Sequence, residues 1–116
     1  MTHYMKLAFE PFQQILTGLK TIELRLNDEK RQKIKVGDII VFCNVQQPEQ
    51  KLNAKVINLH NFATFADLYL SLPLEKCGYL PEQKSFAKYT DMYKYYTKEE
   101  EKRFGVLGIE ISIVSI

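Results

Sequence analysis

The 116-residue chain reads as a single α+β domain spanning residues 1–116, with one sheet and several short helices. Three observations predict this. Strand-type alternation opens the chain, recurs in its middle and closes it; short runs with helical spacing lie between; and no linker, repeat or low-complexity tract divides the whole. A domain of this length buries about two-thirds of the surface of its unfolded chain and needs no disulfide or metal staple. Hydrophobic residues at 46% and charged residues at 26% are ordinary for a globular protein.

The first strand covers His3 to Phe9, with Met5, Leu7 and Phe9 on a buried face, and is expected to be interior. Glu10-Pro11 opens a short helix, because proline suits the first helical turn, and Phe12, Ile15, Leu16 and Leu19 follow at helical spacing. Gly18 sits where a helix ends in a left-handed residue. Asn27 to Gln32 is a polar loop before Gly37-Asp38, and the continuous apolar run Ile39-Ile40-Val41-Phe42 has the length and branching of a buried strand. After a polar connection at Val45 to Gln50, Leu52, Ala54 and Val56 alternate with polar residues in a further strand.

Thr64 with Asp67 predicts a helix start, and Phe65, Leu68, Tyr69 and Leu72 supply its buried stripe before Pro73 stops it. A loop through Gly78 leads to a helix after Ser85, on which Phe86, Tyr89, Met92, Tyr93 and Tyr96 recur at helical spacing. Thr97-Lys98-Glu99-Glu100 is a capping box, so Glu99-Glu100-Glu101 reads as local helix chemistry. Gly105 ends that helix, and the alternation of Leu107, Ile109, Ile111 and Ile113 makes Val106 to Ile116 a long last strand that closes the sheet.

The chemistry concentrates between Gly18 and Leu26. There Ile22, Leu24 and Leu26 fall on one strand face, and Thr21, Glu23 and Arg25 on the other. Same-face neighbours lie about 6 to 7 Å apart, so Glu23 can hold the Arg25 guanidinium while Lys20 leans over the same surface. Residues 20–35 carry six basic against three acidic residues, a modest basic patch in a chain of net charge +2.

Other chemistries find no support. His3 and His60 stand alone, Cys43 and Cys77 have no metal or redox spacing, and no cofactor is expected. Both cysteines read as reduced, small buried residues. The five glycines form no phosphate loop, and no nucleophile elbow or Cys/His signature occurs. Without a membrane span or secretory signal the protein is expected in the cytoplasm, with no membrane partner. Its oligomeric state is left open.

Gly18-x-Lys20-Thr21-x-Glu23-x-Arg25, followed by Lys35-Val36-Gly37-Asp38-Ile39-Ile40-Val41-Phe42, resembles the ASCH domain family, small relatives of the PUA RNA-binding fold. Tyr93-x-x-Tyr96-x-x-Glu99-Glu100 and Phe104-Gly105-Val106-x-x-Ile109-Glu110-Ile111 resemble the family's closing segment, so nearly the whole chain is covered. The resemblance implies a small PUA-like β-barrel of about five to six strands, with short helices packed at its ends. It also implies a cleft holding the Lys, Glu and Arg of the first motif, with Glu110 near the same mouth, and a ligand that is RNA or a nucleotide or nucleoside. The candidate binding residues are Lys20, Thr21, Glu23, Arg25, Tyr93 and Tyr96. Arg25 offers a planar fork to a phosphate or base, Lys20 a point charge, and Glu23 an acceptor for an exocyclic amine.

The alternative is a small hydrolase acting on a modified nucleoside or on RNA, in which Lys20 and Glu23 would be catalytic. One branch of the family, an acetylcytidine amidohydrolase, pairs a lysine with a threonine three positions later and a distant glutamate. Lys20 matches that lysine, but Glu23 stands where the hydroxyl is required. Glu75 and Glu82 are candidates for the distant carboxylate. A carboxylate beside Lys20 opposes its use as a nucleophile, so the sequence favours binding over this amide chemistry.

Overall fold

Alternating strand patterns need a partner on each side or a device at the edge, and the way this chain supplies both determines where its cleft lies. The computed structural model describes residues 1–115, so Ile116, expected at the end of the last strand, lies outside the described residues. Its elements are β1 (Thr2–Leu7), α1 (Phe9–Leu16), β2 (Ile22–Leu26), β3 (Ile39–Asn44), β4 (Lys51–Phe62), α2 (Phe65–Ser71), α3 (Lys98–Phe104) and β5 (Val106–Ser115). The five strands form one sheet in the order β1-β3-β4-β5-β2, with β1 parallel to β3 and the other pairs antiparallel. This is the α+β architecture of five curled strands and short helices that the sequence predicts.

Two strand placements differ from expectation. β1 is an edge, paired only with β3, because its outward residues Tyr4 and Lys6 are exposed and one buried face suffices for an edge. β5 lies between β4 and β2 rather than closing the sheet, and Val106, Leu107, Gly108 and Ile109 are all buried, as suits a strand covered on both faces. The free edges are β1 and β2. Arg25 Nη2 donates to the Lys6 carbonyl at 3.0 Å and Lys30 Nζ donates to the Tyr4 carbonyl at 2.7 Å. These side chains satisfy edge carbonyls that would otherwise invite another strand.

The concave face carries the main core. Ile40, Phe42, Leu52, Ala54, Val56 and Ile109 are wholly buried there beneath Phe12 and Ile15 of α1. Only alternate residues of β3 enter it. Ile39 and Val41 are half-buried, which corrects the expectation of a continuous buried run: burial follows the period of the strand, not the apolar character of every residue. Gly18 ends α1 at φ +83°, as its place after the apolar stripe predicts. A second core on the opposite face of β2 joins Ile22, Leu24 and Leu26 to Phe65, Leu68, Cys77 and Met92.

The predicted helix starts at 64 and 97 are present. The Asp67 backbone N–H donates to Thr64 Oγ1 at 3.1 Å, and Thr97 and Glu100 exchange reciprocal bonds at 2.9 and 3.1 Å. No α-helix forms over Phe86 to Tyr96. Two 3-10 turns, Pro81–Phe86 and Tyr89–Lys94, flank extended residues Ala87 and Lys88 at ψ 129° and 138°. Asp91 restarts the chain there by accepting the Lys88 backbone N–H at 3.2 Å. Of the stripe expected to face one way, Phe86 and Tyr89 are exposed, and only Met92 is buried.

Glu101 also departs from its local reading. Its buried carboxylate accepts the Phe65 backbone N–H at 2.7 Å and the Tyr93 hydroxyl at 2.8 Å, which joins α3 to the start of α2 and to the second 3-10 turn. Replacing Glu101 with Ala orphans the buried Phe65 N–H and the part-buried Tyr93 hydroxyl, so urea unfolding should show a loss of about 2–4 kcal/mol. Glu101→Gln keeps one acceptor and should lose less.

Candidate functional site

The first motif folds from a turn into an edge strand. The Lys20 backbone N–H donates to the Gln14 carbonyl at 3.0 Å and the Thr21 N–H to the Lys76 carbonyl at 2.9 Å, which fixes where the lysine leaves the backbone. In the β2/β5 register Glu23 faces Ile109 and Arg25 faces Leu107, so both charged side chains share the concave face with core residues. Ile22, Leu24 and Leu26 point the other way into the second core. Neither face of β2 is an open surface, and Glu23 is 4% exposed.

A charge so placed requires partners. Lys20 Nζ donates to Glu23 Oε1 at 2.7 Å, and Arg25 Nε donates to Glu23 Oε2 at 2.7 Å. Burial pushes the Glu23 carboxyl upward in pKa, but the two adjacent cations outweigh it and hold the group below its ordinary value of 4.5. For Arg25 burial works downward, while Glu23 and then Tyr96 raise the guanidinium above its usual range. The cluster is therefore a fixed carboxylate between two cations, with one net positive charge.

The cluster floors a cleft of about 870 Å³. One wall comes from β1 and α1 through Lys6, Glu10 and Gln14, and the other from the segment 69–96. On that second wall Tyr69, Tyr79, Tyr95, Tyr96 and Phe86 supply aromatic surface. Gln14 Nε2 donates to the Gly78 carbonyl at 3.1 Å and ties the two walls at one end. Gly78 is held close there at φ +108°, where an added Cβ would stand 3.0 Å from Gln14 Oε1 and 3.4 Å from Lys20 Cδ. Only glycine suits that conformation and spacing.

Of the residues singled out from the sequence, the fold brings Lys20, Glu23, Arg25 and Tyr96 together on the cleft. Thr21 and Tyr93 are not among the cleft's lining residues. Thr21 serves the sheet, its carbonyl accepting the Ile111 N–H at 2.9 Å. Tyr93 is turned to Glu101, with the Lys98 ammonium 5.5 Å from its ring centre. Glu110 is on the opposite face of β5 from the cleft cluster, bonded to His60 at 3.0 Å. Glu75 and Glu82 are exposed and absent from the cleft lining, Glu75 being paired with Lys84 at 3.3 Å.

Sequence reasoning missed Tyr69, Tyr79 and Asp91. The Tyr69 and Tyr79 hydroxyls lie 2.8 Å apart, and Tyr79 donates to Asp91 Oδ2 at 2.9 Å. Burial raises Tyr69 to about 12 and Tyr79 above its usual range, so both phenols stay protonated. Their spacing of ten and twelve residues follows no element period, and the density of tyrosine in this segment was the one available signal.

The depressed Glu23 carboxyl contributes stability that is present above the unfolded carboxylate range, about 4.3, and is lost as pH falls through the folded value. The stability difference between the native protein and Glu23→Gln should therefore be flat near neutrality and shrink on acidification below pH 4. Urea titrations across that range check it.

The family model described as the ASCH domain matches residues 5–115. The crystal structure of hypothetical protein PH0355 is 30% identical, with 98% of this chain and 100% of that one covered at a TM-score of 0.81. Protein PF0455 from Pyrococcus furiosus is 33% identical, with both chains fully covered at a TM-score of 0.74. ASCH from Zymomonas mobilis shares the fold at 15% identity and a TM-score of 0.62, over 96% of this chain and 66% of that one. No curated protein matches. Among the described residues, no helix is long and apolar enough to cross a membrane. The chain belongs to the ASCH domain family.

Proposed function

We propose that this protein binds single-stranded RNA, or a nucleobase of a nucleotide or nucleoside, in the cleft floored by Lys20, Glu23 and Arg25. The observation that carries this reading is the combination of an ordered Lys–Glu–Arg cluster with a wall of tyrosines. A volume of about 870 Å³ accommodates a nucleotide. The cations suit phosphate or carbonyl oxygens, and the aromatic faces suit a splayed base. Phe86 and Tyr95, 76% and 73% exposed at the cleft, offer surfaces on which neighbouring bases stack. Sequence-tolerant stacking over a positively charged floor is how single-strand binders work.

Binding is preferred over amide hydrolysis because the carboxylate occupies the position of the required hydroxyl and holds the lysine in an ion pair at 2.7 Å. An ammonium so engaged is no nucleophile. Glu23 itself, with each oxygen bonded to a cation, is a weak general base.

Fluorescence anisotropy with a labelled single-stranded RNA tests the reading. Affinity should fall with salt, and Lys20→Gln and Arg25→Gln should each lose about tenfold or more, at a temperature where circular dichroism shows the fold retained. Unchanged affinity in both variants overturns the site assignment. Turnover of acetylated cytidine by the purified protein would instead favour hydrolysis.

A further inference from the structure

We propose that Tyr69 presents an acceptor-only oxygen to the cleft, because the Tyr79–Asp91 pair claims its proton, and that the site therefore selects a base bearing an exocyclic amine over its oxo counterpart. This rests on the binding reading above and names the class of base that the site takes.

Proton counting along the wall sets the polarity. A carboxylate only accepts, and Asp91 Oδ2 already accepts the Lys88 backbone N–H at 3.2 Å as well as the Tyr79 hydroxyl at 2.9 Å. Tyr79 has one proton and gives it to Asp91. In the 2.8 Å contact between the phenols, Tyr79 must therefore accept and Tyr69 must donate. The Tyr69 oxygen keeps lone pairs and has no hydrogen to offer. Three separate segments enforce this: Tyr69 is on α2, Tyr79 follows the 3-10 turn Leu74–Cys77, and Asp91 is in the turn Tyr89–Lys94. The rings meet edge to face, 5.9 Å between centres and 74° between planes, which holds the phenols in line.

Tyr69, Tyr79 and Asp91 all line the cleft. The floor opposite offers donors from Lys20 and Arg25, so a ligand meets donors on one side and an acceptor without a proton on the other. An amine placed at Tyr69 completes a hydrogen bond there. A carbonyl in the same place sets two acceptors face to face in a partly buried site, an arrangement that leaves both unsatisfied.

Calorimetric titration of the native protein with cytidine against uridine monophosphate, and adenosine against inosine monophosphate, tests the inference. Within each pair the amino member should bind about tenfold more tightly. Tyr79→Phe keeps the ring but removes the acceptor, which frees the Tyr69 proton. In that variant the oxo members should gain affinity and the preference should shrink to about twofold. Tyr69→Phe should weaken the amino members and leave the oxo members no weaker. Equal affinities within both native pairs overturn this inference and leave the binding reading intact. A Tyr79→Phe variant that weakens both members alike also overturns it, since that is the mark of a merely structural contact. Failure of all four nucleotides to bind the native protein overturns the inference together with the reading beneath it.

Discussion

A carboxylate buried on the concave face of the sheet, with a cation bonded to each of its oxygens, is the constraint on which the rest of this molecule depends. Glu23 shares that face with Leu107 and Ile109, where an unpaired charge would cost several kcal/mol or lose its ionisation. Lys20 must therefore stay where the turn after α1 puts it, and Arg25 must stay beside Glu23. Arg25 then has a further N–H to spend, and spends it on the Lys6 carbonyl of the other free edge. One guanidinium thus completes the charge cluster, satisfies an edge strand and forms part of the cleft floor. The polar floor and the bridge from β2 to the β1 edge both rest on the same guanidinium.

The opposite wall is built by different means. Residues 74–94 form short 3-10 turns in place of a long helix, and their side chains provide the connections that a regular backbone ladder would otherwise supply. Asp91 starts the turn Tyr89–Lys94 and accepts the Tyr79 hydroxyl; Glu101 receives both a backbone N–H of α2 and the Tyr93 hydroxyl. Met92 anchors the last turn in the second core. Such a wall displays more aromatic surface to the cleft than an α-helix would, because its side chains are not confined to one stripe. Its order depends on a few polar contacts, of which the Glu101–Phe65 bond is buried and those of Tyr79 and Tyr93 are part-buried.

Local chemistry was legible wherever a few adjacent residues decide the outcome. The caps at Thr64 and Thr97, the glycine after α1, the alternation of Leu52, Ala54 and Val56, and the charged motif from Lys20 to Arg25 are all short-range features. Their reading agrees with the fold. Misreadings arose where a residue answers to a distant partner. Phe86 to Tyr96 has helical spacing, but Asp91 serves a turn and a tyrosine from another segment. Tyr93 belongs to the same stripe as Tyr96, and a buried glutamate eight residues on turns its hydroxyl away from the cleft. Glu110 alternates correctly, yet alternation does not say which face of β5 looks into the cleft.

By itself, then, the sequence determined the α+β class, the kind and approximate position of most of the strands and helices, and a family whose motif concentrates Lys20, Glu23 and Arg25. These follow from periodicity, capping and the spacing of charges, all of which act over a few residues. Tertiary structure alone decided the strand order, with β1 at an edge and β5 inside, since pairing partners are chosen by which faces remain to be covered. It also decided the depth at which Glu23 is buried and the assembly of Tyr69, Tyr79 and Asp91 into one chain of hydrogen bonds. Proton direction along that chain depends on three segments meeting, and no local pattern encodes such a meeting.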